Sequence, residues 1–408
     1  MVEETIDVNG SLAAPSAGLS PGTHYWRLFA RTGVVTSTLA SPTWQFTVGR
    51  RSAPVDSSSG TTPDFNGDGY SELVVGKYSG GACVSNIYVW AGNPLGVVGA
   101  PSVTIRDTGT FSGGYGTTVR SAGDVNGDGF ADLLVGGYSR FDIFLGRASG
   151  LRASPDSTHA AGGVSQGQIS AAGDINSDGF GDVVAYSEDR ALVYLGGPRG
   201  LEAVASQIVR RPDAVGRFFG NSATGAGDVN GDGFADLILG YYNTVGAVSR
   251  AHLYLGGAAG LPALPNVTFV GPDGVDQRFG SSIAAGDLNG DGYDDVIVGG
   301  RADATGLALG HVYYGGRAGP GTTPNVILAG PGFANSNRPM TLGSMGDLNG
   351  DGFTDVVVGV RASVQVYLGG VGGPPTTPSL IIASPDGPVS YFGVWVGNLG
   401  RLQWRRIL

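Results

Sequence analysis

A single cysteine, Cys83, stands in 408 residues. One thiol makes neither an intrachain disulfide framework nor a cysteine-built zinc site, and Cys83 reads as a small buried hydrophobe in a strand. Charge is scarce too, at 14% of residues, with 24 Lys and Arg against 34 Asp and Glu. The basic residues never run beyond the pairs Arg50-Arg51, Arg210-Arg211 and Arg405-Arg406. At a net charge of −10 no basic stripe is left to displace counterions from a phosphate backbone, which excludes nucleic acid as a partner. No stretch approaches the roughly 18 continuous apolar residues of a membrane span. The opening MVEETIDVNG has neither the basic nor the apolar region of a secretory signal. Either the chain is not exported by that route, or its true N-terminus lies upstream. The four histidines (His24, His159, His252 and His311) fall in different modules with no H-E-x-x-H or other paired spacing. Helical periodicity is absent throughout.

What the chain has in quantity is glycine, 74 residues, within a sequence that is 41% hydrophobic. The glycines recur at fixed places, which points to a turn-rich all-β fold and away from low complexity. The loop D-x-N-x-D-G, with Ser in place of Gly at one internal position, starts at Asp64, Asp124, Asp174, Asp228, Asp287 and Asp347. The spacings, from about 50 to about 60 residues, are those of a propeller blade. A short aliphatic run follows each loop: Leu73–Val75, Leu133–Val135, Val183–Val184, Leu237–Leu239, Val296–Val298 and Val356–Val358. These runs read as buried inner strands. A second strand then ends in or near glycine, as in Val193-Tyr194-Leu195-Gly196 and Leu253-Tyr254-Leu255-Gly256. A Gly-Leu-Pro-type turn and a Thr- or Val-rich outer strand complete the unit. A Phe-Gly pair opens the next strand at Phe219-Gly220, Phe279-Gly280 and Phe392-Gly393, with Tyr115-Gly116 and Gln166-Gly167 in two copies and a displaced Leu342-Gly343 before Asp347. Four strands per repeat make one blade.

Each loop offers side-chain oxygens at positions 1, 3 and 5, a backbone carbonyl at 7 and a carboxylate at 9. Hard cations take several such oxygens, and a tight glycine turn lets one short loop surround the ion. The candidate ligands are Asp64, Asn66, Asp68, Tyr70 and Glu72; Asp124, Asn126, Asp128, Phe130 and Asp132; Asp174, Asn176, Asp178, Phe180 and Asp182; Asp228, Asn230, Asp232, Phe234 and Asp236; Asp287, Asn289, Asp291, Tyr293 and Asp295; and Asp347, Asn349, Asp351, Phe353 and Asp355. Glu72 alone departs at position 9, and its extra methylene is expected to loosen that site. The EF-hand begins alike but needs Glu at position 12, where this chain has Val75, Val135, Ala185, Leu239, Val298 and Val358. Magnesium, which keeps several waters, fits less well than calcium. Three carboxylates in each of six loops are eighteen of the 34 acidic residues. Six calcium ions would bring the formal charge from −10 to about +2, so the acidity belongs to the metal sites. The glycine after the third ligand, Gly129 in the second loop, is expected at positive φ. The position-7 aromatics are expected to lend their carbonyls while their rings pack between blades.

The order Phe-Gly, Gly-Asp-x-Asn-Gly-Asp-Gly, aliphatic strand, Tyr-Leu-Gly resembles the FG-GAP repeat of integrin α-subunit propellers and their bacterial relatives, over about residues 64–400. The resemblance implies an all-β propeller, here six four-stranded blades, acting as an extracellular or cell-surface module that binds a protein or glycan. A monomer is expected. Residues 1–49, with alternating patterns at Gly22–Ala30 and Trp44–Val48, are similar to the last strands of a fibronectin type III module, a partial β-sandwich. Residues 50–63, rich in Ser, Gly, Thr and Pro, form a linker.

Catalysis finds little support. Gly163-Val164-Ser165-Gln166-Gly167 matches G-x-S-x-G but has no helix to follow it. A propeller-type polysaccharide lyase, or a hydrolase without its catalytic domain, is the alternative. A lyase would need a charged cluster that breaks the repeat, and none is present.

The first blade lacks an innermost strand, because linker precedes Asp64. The segment Tyr391–Gly397, YFGVWVG, is expected to supply it and close a six-bladed ring. Residues 401–408 fit no repeat. Codons chosen for Arg401–Leu408 and read one base later give Asp-Phe-Asn-Gly-Asp-Gly-Phe, the acidic loop, where a seventh copy is due. The expectation is a frameshift in the gene and seven blades in the intact protein.

Overall fold

Three of the aliphatic runs that follow the acidic loops, within Asp132–Gly136, Asp182–Tyr186 and Asp295–Gly299, are buried on both faces. A strand shielded on both sides lies inside a stack of sheets, and each of these three is the second strand of its blade. This is seen in the computed structural model, which describes residues 22–26, 29–32, 35–40, 44–48, 63–68, 71–77, 86–92, 99–106, 115–116, 118–137, 140–161, 169–186, 189–212, 218–242, 248–275, 278–300, 309–329, 340–343, 346, 348–349, 351–360 and 363–384.

The fold is an all-β propeller of six antiparallel blades. Blade 2 runs outward through Thr118–Gly123, Asp132–Gly136, Arg140–Phe144 and Ser157–Ala160. Blade 3 repeats this with Ile169–Gly173, Asp182–Tyr186, Arg190–Tyr194 and Gln207–Arg210. Blade 4 has Phe218–Gly227, Asp236–Tyr242, Val248–Tyr254 and Val267–Val275. Blade 5 has Ser282–Gly286, Asp295–Gly299, Leu309–Tyr313 and Val326–Ala329. Blade 6 has Thr341–Leu342, Val356–Val360, Ser363–Tyr367 and Leu380–Ala383. The first strands of successive blades touch one another and so line the axis of the ring. Among the described residues there is no helix.

Among the described residues blade 1 shows three strands. Its described strands are Leu73–Lys77, Asn86–Trp90 and Val103–Arg106. No repeat precedes Asp64 to supply an innermost strand, and Val75, whose counterparts are buried, is 41% exposed. The segment Tyr391–Gly397, expected to fill that place, and the tail 401–408 lie outside the described residues, as do Cys83 and Gly163–Gly167. Before the propeller, Gly22–Trp26 pairs antiparallel with Trp44–Val48, and Phe29–Thr32 with Val35–Ala40. The alternating patterns there are strands.

The Phe-Gly element works as a wedge. Tyr115 packs with Ile87 and Ile105 of blade 1 and Leu133 of blade 2. Phe279 likewise joins Phe269 of blade 4 to Val296 of blade 5. In blade 6, where the pair is displaced, Met340 fills the wedge beside Leu328 and Val358. An unbranched thioether side chain adapts to such an irregular gap. Burying one of these side chains contributes about 1.5–3 kcal/mol. The wedge needs room on the blade it meets, which glycine provides. A Cβ on Gly76 would collide with the Gly116 carbonyl, and one on Gly240 with the Gly280 carbonyl.

Candidate metal loops

Every acidic loop is built by its own side chains. In the second loop Asp124 accepts hydrogen bonds from the amides of Asp128 (3.1 Å) and Gly129 (2.7 Å). The Asn126 carbonyl oxygen accepts the Asp128 amide at 3.1 Å, and its amide group donates to Asp128 Oδ2 at 2.9 Å. The same Asn–Asp pair recurs at Asn176–Asp178, Asn230–Asp232, Asn289–Asp291 and Asn349–Asp351. Gly129 has φ of 87°, with Gly179, Gly233, Gly292 and Gly352 between 85° and 91°, so the expected left-handed turn is there.

The carboxylate at position 9 does something the sequence did not announce. Asp132 is fully buried and accepts two backbone amides, Val125 at 2.8 Å and Gly146 at 2.7 Å. Asp182, Asp236, Asp295 and Asp355 repeat this with the position-2 amide and the glycine of the Tyr-Leu-Gly turn. Position 9 therefore bolts the loop to the blade's third strand. Each carboxylate oxygen has two lone pairs, so it keeps capacity for a further partner.

The loops are also chained to one another. The position-8 amide donates to the position-1 carbonyl of the preceding loop: Ala131 to Asp64, Gly181 to Asp124, Ala235 to Asp174, Asp294 to Asp228 and Thr354 to Asp287, at 2.8–3.2 Å. A second amide, from the residue after each Tyr-Leu-Gly turn or its equivalent, binds the position-2 carbonyl, as Gly197 does to Val125 at 3.0 Å. The position-7 rings complete the chain. A Cβ on Gly127 would meet the Phe180 ring at 2.8 Å and one on Gly290 the Phe353 ring at 2.5 Å. These two rings lie between blades, against the glycine of the loop before.

Burial and crowding together penalise the charged carboxylates. Desolvation, with the neighbouring acids of the same loop adding to it, pushes Glu72, Asp132 and Asp236 up to about 8 and Asp182 to about 7. Asp287 reaches about 6, while Asp124, Asp174 and Asp228 are raised, each chiefly by burial. Asp295 is driven well above the usual carboxylate range. Beside it, Asp294 is raised in the same way by burial, then by Asp287, and accepts the Asp228 amide at 2.9 Å. Groups so placed gain from a positive charge among them.

The three carboxylates converge most closely in the first loop. Oxygens of Asp64, Asp68 and Glu72 all lie within 4.8 Å of one another, the one such group of three acids among the described residues. Glu72 accepts the Phe65 amide at 2.6 Å and the Asn66 side-chain amide at 2.9 Å. Its carboxylate thus lies beside the loop's other acids. Carboxylate and amide oxygens on a tight turn are the donor set of a hard divalent cation, and the residues fit one. Tyr70 and Asp347 lie outside the described residues.

Among the described residues Ser157 Oγ lies 2.7 Å from His159 Nε2. Asp142 of the neighbouring strand pairs with Thr158 while His159 pairs with Phe141, so this acid and the imidazole point to opposite faces. These three residues form no Ser-His-Asp relay. His252 and His311 hold equivalent positions in their strands, opposite Leu239 and Val298, and both are buried.

Comparison with known proteins agrees with this geometry. A model described as "FG-GAP-like repeat" matches residues 64–135 and 124–185, and one described as "FG-GAP repeat" matches 219–249, 279–314 and 341–372. The chain belongs to the FG-GAP repeat proteins. Among curated relatives, integrin alpha-4 of Xenopus laevis is 34% identical over 162 residues, covering 38% of this chain and 15% of that protein. Human integrin alpha-IIb is 32% identical over 172 residues, covering 39% and 16%. Integrin alpha-PS5 of Drosophila melanogaster is 32% identical over 185 residues, covering 40% and 18%. The matched stretch of this FG-GAP propeller thus spans less than a fifth of those integrin α chains. Among the described residues no helix is long and apolar enough to cross a membrane.

Proposed function

We propose that this FG-GAP propeller is a non-catalytic, calcium-stiffened binding module of the cell surface or extracellular space. The observation that carries it is the convergence of Asp64, Asp68 and Glu72 in a set of loops joined blade to blade by backbone hydrogen bonds. Positions 1, 3, 5, 7 and 9 of each loop, Asp124, Asn126, Asp128, Phe130 (through its carbonyl) and Asp132 in the second, hold one calcium ion apiece. A bound ion supplies positive charge to carboxylates that burial and mutual repulsion otherwise penalise. The chain's own part is to fix those oxygens by amide hydrogen bonds and to pass the rigidity of one loop to the next. A rigid ring leaves the loops between strands free to differ, which suits recognition of a protein or glycan.

The resemblance to integrin α chains supports binding over catalysis, and the divided faces of Asp142 and His159 support it independently. The N-terminal strands are read as the end of a fibronectin type III-like module. The test is a protein and glycan array probed with and without EDTA, run beside a uronic-acid lyase assay. Calcium-dependent capture without lyase activity is the expected result. Turnover of a uronate polymer would overturn the reading.

A further inference from the structure

Five outer strands hide their third residue between blades. Ile105, His159, Val209, Phe269 and Leu328 are each at most 2% exposed. In blade 6 the same register position, opposite Val364, is Ile382. It is 42% exposed, beside Ile381 at 47% and Leu380 at 52%. An outer strand with three consecutive exposed aliphatic residues is a surface made to be covered.

The other blades show what the cover is. Ile105 shares a cluster with Tyr115, Phe269 with Phe279, and Leu328 with Met340. In each case the covering side chain is the wedge that opens the following repeat. Tyr115 and Phe279 each stand ten residues after the residue they cover. Ten residues after Ile382 is Phe392, and Gly393 follows it. From Phe392 the chain reaches Gly400 in eight residues, the spacing of Phe219 to Gly227. The segment Tyr391–Gly397 carries no charged side chain, which suits an apolar face. Gly359 stands at the end of the second strand of blade 6, where Gly240 and Gly299 leave room for the next wedge.

We infer that Tyr391–Gly397 docks on the open face of blade 6, with Phe392 covering Ile382 and Gly393 seated over Gly359. The occupant is this chain's own segment, and blade 6 receives the same wedge as the blades before it.

The test uses the full chain with Cys83→Ser and one new cysteine at a time, read by native thiol labelling. Val209→Cys is the protected control and Val371→Cys, at a site 67% exposed, the open one. Ile382→Cys is expected to label at least about tenfold more slowly than Val371→Cys at every protein concentration, as a site that reacts only on local opening does. Adding Phe392→Ala should abolish that protection while Val209→Cys keeps its own, and Phe392→Tyr should preserve it. Labelling of Ile382→Cys as fast as Val371→Cys overturns the inference. Protection that grows with protein concentration also overturns it, since a second copy would then be the cover. Where Phe392→Ala exposes Val209→Cys as well, the Ile382→Cys/Phe392→Cys pair decides: a disulfide under mild oxidation supports the docking, and none overturns it.

Discussion

The Tyr115 hydroxyl donates a 3.0 Å hydrogen bond to Asp142 Oδ2 across the inside of blade 2. Both residues are 2% exposed. Tyr115 stands where other repeats have the Phe of Phe-Gly, and Asp142 where the neighbouring blade has Leu192. The two departures from the repeat answer each other. Thr158 Oγ1 supplies the second contact, to Asp142 Oδ1 at 2.7 Å.

Removing one partner leaves a buried carboxylate short of a donor. Tyr115→Phe is therefore expected to cost about 1–3 kcal/mol, while replacing both partners with apolar side chains is close to neutral. Chemical denaturation of Tyr115→Phe, Asp142→Leu and the double variant measures this. The double variant should recover most of the loss of Tyr115→Phe, and simple additivity of the two single losses would contradict the pairing.

The blade contacts predict where glycine is irreplaceable. A Cβ on Gly240 would strike the Gly280 carbonyl and Ser222 Oγ, whereas one on Gly321 meets nothing within 4 Å. Gly240→Ala should destabilise by about 1–3 kcal/mol through overpacking. Gly321→Ala should stay within about 1 kcal/mol of the parent, with either sign. Equal melting temperatures for the two variants would show that the close approach of blades 4 and 5 is not part of the fold's stability.

The loop carboxylates set the pH response of the metal-stripped protein. Their folded-state values, about 8 for Glu72, Asp132 and Asp236 and about 7 for Asp182, lie above the ordinary 4.5 and 3.8 of the free side chains. A group raised by folding favours the folded state while protonated. That contribution is full below about pH 4 and is lost as the pH rises through 7 and 8. Stripped protein should melt at a lower temperature at pH 8 than at pH 5, and calcium should remove or reverse the difference. Stripped protein that melts higher at pH 8 would contradict the arrangement.

The repeat was legible because its signals are local. Each loop, its glycine turn and the aliphatic strand behind it lie within about a dozen residues, and turn chemistry with strand patterning suffices to place them. The lack of an innermost strand ahead of Asp64 was legible too, from the linker that precedes it. What escaped depends on distance across blades. The hydrogen bond from Tyr115 to Asp142 spans 27 residues, and nothing in either residue alone indicates the other. The double amide contact of Asp132 needs Gly146 from the next strand, so the position looked like a ligand and nothing more.

The central claim is that the acidic loops are calcium sites that hold the ring together. Equilibrium dialysis of the stripped protein against calcium, with the bound metal counted by atomic emission and the melting temperature followed in parallel, tests it most directly. The account predicts up to six ions per chain, one per loop, with melting temperature rising as they bind because only the folded state holds them. Glu72→Gln together with Asp68→Asn should remove one ion and leave the others. A stripped protein that takes up no calcium, with the same melting curve in calcium as in chelator, would contradict the account.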